Sequence, residues 1–190
     1  MFAIEIVGAV LLADFLSGIV HWLEDAYARP GMPFVNKIAQ ENLLHHVRPR
    51  EFLKKNWWQS SWDLTLIGMM VIVLAWRWKL LNLPVWVFVL CSVNANQFHK
   101  WAHQNARENG RLVASLQNCK LLLTQRHHAR HHKGDKKTHY CTVTNLFNPV
   151  LDKLAFWNRM EWLLSKLLGW QRKSEPILTR PGGSNSSNAV

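Results

Sequence analysis

The chain has 190 residues, of which 48% are hydrophobic, and its formal net charge at pH 7 is +11. The apolar residues are concentrated in blocks, which disfavours an ordinary soluble globule and favours one membrane-embedded domain. The Lys and Arg residues are spread out and no nucleic-acid motif accompanies them, so the sequence excludes nucleic acid as the expected partner and favours anionic lipid headgroups.

Three apolar segments are candidate membrane spans. Residues 2–20 lack the basic start and the small-residue cleavage site of a signal peptide, so we expect this segment to be retained. Residues 62–76 have a shorter apolar core and are also compatible with a buried core helix. Residues 80–98 contain Pro84, which membrane helices tolerate. Several of the 11 Trp residues lie at block edges, where aromatic rings settle at a membrane interface: Trp22, Trp57, Trp58, Trp62, Trp76, Trp78 and Trp101.

These segments predict an all-α integral membrane protein, a bundle of about three to four transmembrane helices with cytoplasmic histidine-bearing helices. We expect residues 1–174 to form the membrane-embedded domain. Residues 175–190 are polar and rich in Gly and Ser, which predicts a disordered tail.

The basic residues predict the orientation of these spans. Only 2 of the 23 Lys and Arg residues lie in segment 77–82, whereas 6 lie in segment 24–61 and 15 in segment 99–190. The positive-inside rule then places the two longer segments on the cytoplasmic side of a bacterial inner membrane or the endoplasmic reticulum. Every histidine falls on that side, so one site could collect them all.

Two histidine motifs are defined by short spacings. His99 and His103 in HKWAH are four residues apart, so a helix would place both imidazoles on one face. His45 and His46 in LLHH are adjacent, and a helix would turn them about 100° apart. Such a pair could flank a site.

The segment QRHHARHH contains four more histidines. His128, His131 and His132 stand at i, i+3 and i+4, which is one helical face. His127 and His131 are also four apart. Spacing alone therefore leaves open whether His127 or His128 belongs to the set.

A stripe of small and polar residues follows one face of the first span. In ADFLSGIVHWLED, the residues Asp14, Gly18, His21 and Asp25 are separated by 4, 3 and 4 positions. A carboxylate inside a span is costly, so Asp14 needs a partner in the protein, either at the site or as a cation or hydroxyl of the bundle. Asp25 or Asp14 could accept the second N–H of His21, as the outer partner of a metal-bound histidine does.

The number of histidines favours a metal centre. Neutral imidazole binds zinc, copper, iron and nickel, and the sequence has neither the HExxH nor the CxxC pattern of common zinc sites. Seven or more histidines exceed the coordination number of one ion, so two ions are the simplest interpretation, and two redox-active irons suit an all-nitrogen set. A membrane zinc hydrolase and a non-catalytic metal carrier remain alternatives.

The HxxxH and HxxHH motifs beside apolar helices resemble the histidine boxes of integral-membrane di-iron desaturases and hydroxylases. More closely, the chain resembles the Kua family in the order and spacing of ADFLSGIVHWLED, ENLLHHVRPREF, NQFHKWAHQ, SLQNCKLLLTQRHHARHH and HYCTVTNLFNPVLDKLAFW. That family contains plasmanylethanolamine desaturase and the plant chloroplast enzyme that desaturates a palmitoyl chain of phosphatidylglycerol. The similarity extends from about Asp14 to Leu164.

The resemblance implies a ligand set for two iron ions. The family's ligand histidines fall on His21, His45, His46, His99, His103, His128, His131 and His132. His127 and His139 stay uncertain, because relatives carry other residues at these positions. Asp25 and Asp152 match acidic positions of the family and are expected, like Asp14, to accept hydrogen bonds from behind the ligands.

The resemblance also implies a reaction and its partners. In an O₂-dependent desaturation, two hydrogens leave neighbouring carbons of a membrane phospholipid chain, and an external carrier such as cytochrome b5 or ferredoxin supplies electrons. A basic cytoplasmic face would attract an acidic carrier. Lys100 follows the first histidine of HKWAH, as in plasmalogen-forming members, and favours a 1-O-alkyl chain as the substrate. A phospholipid acyl-chain desaturase is the alternative.

Overall fold

The fold is built around a long N-terminal helix. The computed structural model describes residues 2–133 and 136–174, and every regular element within these ranges is helical. The elements are α1 (Phe2–Ala26), α2 (Asn36–Val47), a 3₁₀ turn (Pro49–Lys54), α3 (Trp57–Arg77), α4 (Leu83–Val93), α5 (Ala95–Ala102), α6 (Ala106–Asn118), α7 (Gln125–His131), α8 (Phe147–Lys153) and α9 (Phe156–Leu168). The all-α prediction is confirmed for these residues. The predicted tail, residues 175–190, lies outside them.

Two of these helices are long and apolar enough to cross a bilayer. They are α1, with 25 residues and a mean hydropathy of 2.1, and α3, with 21 residues and a mean hydropathy of 1.3. Only 22% of the apolar stretch of each helix is buried within the protein. Outward-facing apolar surface on this scale is typical of contact with lipid. The structure therefore supports a membrane protein with two candidate spans.

The third predicted span, residues 80–98, is divided between two helices. Asn82 caps α4 by accepting a hydrogen bond from the Val85 N–H at 3.1 Å, and Pro84 lies in the first turn, where its missing N–H has no cost. Helix α4 has 11 residues and ends at Val93, and the single residue Asn94 separates it from α5. A bundle of three to four spans thus remains a prediction.

The core lies where the C-terminal half of α1 meets α8 and α9. It contains Trp22, Ala26, Tyr140, Cys141, Leu151 and Trp157. The prediction of an interfacial position is wrong for Trp22, because its ring is buried in this core and its indole N–H donates to Glu161 Oε1 at 3.2 Å. Trp76 and Trp78, at the end of α3, are exposed as an interfacial position requires.

The predicted stripe on α1 is confirmed as a buried face. Residues 138–144, hereafter the 138–144 segment, run along this face without regular secondary structure. Gly18 permits their close approach, since a Cβ there would lie 2.6 Å from Cys141 Sγ and 3.2 Å from the Cys141 backbone nitrogen.

Replacing Gly18 by Ala is expected to lower the free energy of unfolding by up to about 2 kcal/mol. Overpacking costs about 1–3 kcal/mol, of which the higher helix propensity of Ala offsets about 1 kcal/mol. Gly8→Ala in the same helix is the matched control, because no atom lies within 4 Å of a Cβ there. Circular-dichroism melting in detergent measures the difference, and equal melting temperatures for the two variants would contradict this packing.

Candidate metal centre

Nine buried or half-buried side chains converge in two groups. In each group, one potential ligand atom per residue lies within 4.8 Å of every other. The five-histidine group consists of His45, His99, His103, His128 and His132. The mixed group consists of His21, Asp25, His46 and His131. Together they contain all eight histidines that the resemblance identifies as ligands.

Helical geometry explains how the chain distributes its histidines. His99 and His103 point to one group from a single face of α5 and its C-terminal cap, as the i, i+4 spacing predicts. Adjacent histidines diverge, because successive residues of a helix point about 100° apart. His45 and His46 therefore join different groups.

The same divergence separates the histidines of α7. His128 and His132 are four apart and both belong to the five-histidine group, whereas His131 faces the mixed group. The three were expected on one helical face, whereas the structure divides them between the two neighbouring groups. His127 belongs to neither group, and His128 belongs to the five-histidine group.

The Nε2 atoms of the five-histidine group are very close together. His128 Nε2 lies 2.8 Å from that of His99, 3.0 Å from that of His103 and 3.1 Å from that of His132. His103 Nε2 also lies 3.2 Å from that of His45. Imidazoles bound at right angles to one ion, at about 2.1 Å, have nitrogens about 3.0 Å apart. The spacing therefore fits a shared metal ion.

Burial keeps these imidazoles neutral. Removal from water, and secondly the neighbouring histidines, lower the pKa of His103 to about 4 and that of His132 to about 2. The pKa values of His45 and His128 are held well below the usual range by the same causes. A neutral imidazole has one free lone pair, which is the form that binds metals.

Asp25 connects the imidazoles of the mixed group. Its Oδ1 lies 2.9 Å from His46 Nε2, and its Oδ2 lies 3.1 Å from His131 Nε2 and 3.8 Å from His21 Nε2. Asn42 donates to Oδ1 at 2.7 Å and fixes the carboxylate. Asp25 was expected to be an outer partner of His21, but this position makes it a potential ligand itself.

Two backbone carbonyls set the protonation of two rings in the mixed group. His21 Nδ1 donates to Tyr140 O at 3.0 Å, and His131 Nδ1 donates to Thr138 O at 2.8 Å. A carbonyl oxygen only accepts, so Nδ1 carries a proton in each ring, and in the neutral ring Nε2 then keeps a free lone pair.

Three acceptor atoms of the mixed group consequently face one another without a hydrogen. His21 Nε2, His131 Nε2 and Asp25 Oδ2 are buried and have no hydrogen-bond partner. Unpartnered acceptors in a buried position are costly. A cation among them would remove that cost, so the residues present fit a metal.

Asp14 lies elsewhere in the described chain and serves the 138–144 segment. Its Oδ1 accepts from the N–H groups of Val143 at 2.9 Å and Thr144 at 3.1 Å, and its Oδ2 accepts from the Thr144 hydroxyl at 2.5 Å. Of the two partners expected for Asp14, the structure shows a hydroxyl of the bundle, that of Thr144. The expected hydrogen bond between Asp14 and the His21 ring is not among the contacts of the described residues.

Asp152 contacts one of the two uncertain histidines. Its Oδ2 lies 2.7 Å from His139 Nδ1, and the His127 ring lies beside that of His139, tilted by 53° with centroids 4.8 Å apart. Asp152 thus lies beside His139 and outside both metal groups.

Lys100 has a packing role in the structure. Its buried ammonium donates to Lys55 O and Ser60 Oγ, both at 2.8 Å, and lies 5.2 Å from the centre of the Phe52 ring. These contacts join α5 to the start of α3.

Sequence reasoning missed the residues that orient the mixed group. Asn42 lies four positions before His46 in ENLLHH, so helical spacing could have found it. The carbonyls of Thr138 and Tyr140 leave no sequence signal, because every residue has a carbonyl.

Asp25→Asn is expected to weaken metal binding in the mixed group by at least about 100-fold, since even outer partners of ligands contribute about 10–100-fold. The amide keeps the shape and the acceptor for Asn42 but loses the charge. The five-histidine group should keep its ion. Metal analysis of purified protein after graded chelation measures this, with His127→Ala as control, and unchanged metal retention in Asp25→Asn would rule out Asp25 as a ligand.

Comparison with known proteins identifies the family. Residues 10–175 match the family described as lipid desaturase domain. The chain is 29% identical over 185 residues to plasmanylethanolamine desaturase 1 of Mus musculus, covering 90% of this chain and 68% of the relative. It is 33% identical over 172 residues to a probable fatty acid desaturase of Acanthamoeba polyphaga mimivirus, covering 87% and 84%.

Fatty acid desaturase 4, chloroplastic, of Arabidopsis thaliana is 29% identical over 167 residues, covering 86% of this chain and 52% of the relative. No solved structure matches the chain. Because the family match spans most of the chain, the chain belongs to the lipid desaturase domain family and is an oxidoreductase.

Proposed function

We propose that this lipid desaturase holds two iron ions, one in the five-histidine group and one in the mixed group. The observation that carries the proposal is the set of buried, unpartnered acceptors at His21, Asp25 and His131. Iron is preferred to zinc because desaturation is an oxidation and zinc has no redox chemistry. A zinc hydrolase or a metal carrier would not belong to this family.

The reaction is the removal of two hydrogen atoms from a CH₂–CH₂ unit of a lipid chain. O₂ takes up these two hydrogens together with two electrons and two protons, and two water molecules form. Bound iron supplies the activation of O₂ that a side chain cannot perform. The residues of the chain hold the metals with neutral imidazoles and balance positive charge with the Asp25 carboxylate.

Burial of the centre shapes this chemistry. His128 and His131 are inaccessible to solvent, and His45 and His99 are 7% exposed. A dry environment protects reactive species from side reactions with water. The chain therefore contributes water-poor surroundings as well as ligands.

The proposed substrate is a 1-O-alkyl phospholipid, and the product is the vinyl ether of a plasmalogen. The name of the mouse relative, a plasmanylethanolamine desaturase, supports this choice. The names of the mimivirus and Arabidopsis relatives favour the second candidate, desaturation of a phospholipid acyl chain.

We place the histidine-bearing segments on the cytoplasmic side of a multi-pass membrane protein, because few basic residues lie between α3 and α4. The electron donor is then a soluble or membrane-anchored acidic carrier, such as cytochrome b5 or ferredoxin, that docks on the basic cytoplasmic face.

Replacing Lys133, Lys136 and Lys137 by Gln is expected to raise the carrier concentration needed for half-maximal rate several-fold, because a positive face accelerates the encounter. Arg77→Gln with Lys79→Gln, on the opposite side in the proposed topology, is the matched control. Steady-state turnover with added carrier at low and high salt measures the effect. An equal rise in the required carrier concentration in both variants would contradict docking of the carrier at Lys133, Lys136 and Lys137.

The proposed activity is tested in a plasmalogen-free host that expresses the chain and is fed 1-O-alkylglycerol. Acid-labile vinyl ether phospholipid should form with the unmodified protein and be absent with His128→Ala, because His128 lies at the centre of the five-histidine group. Mass spectrometry of extracted lipids measures the product.

Formation of a new unsaturated acyl chain without vinyl ether would instead support the second candidate. Absence of both products, with the protein present in the membrane, would contradict the proposed function.

A further inference from the structure

The two carbonyls that orient the mixed group flank a single residue, His139. Thr138 O accepts from His131 Nδ1 at 2.8 Å, and Tyr140 O accepts from His21 Nδ1 at 3.0 Å. The direction in which both carbonyls point depends on the backbone conformation of these three residues. His139 itself belongs to neither metal group.

His139 has a backbone conformation that needs support. Its φ angle is +61°, in the left-handed region that side-chain-bearing residues rarely adopt. His139 lies between Thr138 and Tyr140, whose carbonyls accept from His131 and His21. A relaxation of His139 to an ordinary φ would rotate the adjoining peptide groups.

Asp152 of α8 contacts both the side chain and the backbone of His139. Asp152 Oδ1 accepts from the His139 N–H at 3.3 Å, and Asp152 Oδ2 lies 2.7 Å from His139 Nδ1. The side chains are 14% and 15% exposed, so water competes little for these contacts. One carboxylate thereby lies against two groups of the same residue and is hydrogen-bonded to its backbone.

Helix α8 is tied to the 138–144 segment independently of Asp152. Asn148 accepts from the Cys141 N–H and donates to the Cys141 carbonyl, both at 2.9 Å. Leu151 of the same helix lies in the core. A change at Asp152 therefore removes the contact with His139 while α8 keeps its other attachments.

We propose that Asp152 and His139 are a positioning pair that holds the Thr138 carbonyl against His131, because the His139 N–H that Asp152 accepts from belongs to the same peptide group as that carbonyl. The pair keeps the proton of the His131 imidazole on Nδ1 and leaves its Nε2 free for the metal of the mixed group. Asn148 holds the peptide group of the Tyr140 carbonyl through the Cys141 N–H. This inference rests on the proposed metal role of that group. It assigns a function to His139 and gives Asp152 an indirect one, since Asp152 touches no ligand.

The proposal predicts selectivity between the two sites. The carbonyls act on His21 and His131, both in the mixed group. If the Thr138 carbonyl shifts away from His131 Nδ1, the proton of His131 can move to Nε2. Nε2 would then donate to Asp25 Oδ2, 3.1 Å away, in competition with a metal. The five-histidine group makes no contact with these two carbonyls in the described chain and should keep its affinity.

The test is anaerobic equilibrium dialysis of the full chain in detergent against graded Fe²⁺, with iron per chain measured by mass spectrometry. Asp152→Asn and His139→Ala are expected to weaken one of two binding steps by about 10–100-fold, as loss of an outer partner does, and to leave the other unchanged. His127→Ala is the matched control, because it removes the ring beside His139 but not the contact with Asp152.

His139→Asn is expected to preserve the iron binding that His139→Ala weakens. Asn tolerates the left-handed region, and its amide N–H can donate to Asp152. Binding close to that of the unmodified protein is expected. A purely structural role of the pair would weaken both sites together and lower the melting temperature in parallel, which would overturn the proposal.

Two further results would also overturn it. One is unchanged iron binding in both Asp152→Asn and His139→Ala. The other is fewer than two irons bound by the unmodified protein, and this result alone would contradict the proposed function as well. If Asp152→Asn fails to fold, the comparison of His139→Ala with His139→Asn still decides the question.

Discussion

The free lone pairs of buried imidazoles, together with one buried carboxylate, are the constraint on which the rest of the structure depends. Nε2 atoms meet at 2.8–3.2 Å in the five-histidine group, and three acceptors face one another in the mixed group. Such arrangements are unfavourable without positive charge, because buried acceptors lose their hydrogen bonds to water. The two proposed cations, one per group, would satisfy both sets and would explain why a small domain buries so many histidines together.

A buried irregular segment maintains part of that arrangement. The 138–144 segment has no helical or strand hydrogen bonds of its own, so side chains of α1 and α8 satisfy its backbone. Asp14 and Ser17 accept from residues 142–144, and Asn148 accepts from Cys141. Gly18 provides the space for it. The costly carboxylate in the first span thus contributes to the metal centre indirectly, by fixing the segment whose carbonyls orient two imidazoles.

Local periodicity explains what could be predicted from the sequence. The spacing of His99 and His103 predicts a shared helical face, and the buried stripe of α1 follows from its 4, 3, 4 pattern. Charge and apolar blocks predict helices with lipid-facing surfaces. Each of these inferences depends on residues within a few turns of one helix, where geometry is known in advance.

The remaining features depend on contacts between distant segments. The division of His131 and His132 between two groups requires the positions of α1, α2 and α5 around α7. From the neighbouring sequence, Trp22 is predicted at the membrane interface and Lys100 near the substrate. Their hydrogen-bond partners in the structure, however, lie 139 and 45 positions away along the chain. The carbonyls of Thr138 and Tyr140 are invisible to any motif, because the backbone is the same at every residue.

The most direct test of two metal ions is anomalous X-ray diffraction from crystals of protein purified with iron, recorded on both sides of the iron absorption edge. The proposal predicts two anomalous peaks per chain, one among the Nε2 atoms of the five-histidine group and one between Asp25, His21 and His131. A single peak, no peak in either group, or peaks that do not change across the iron edge but become strong only above the zinc edge would contradict a di-iron centre.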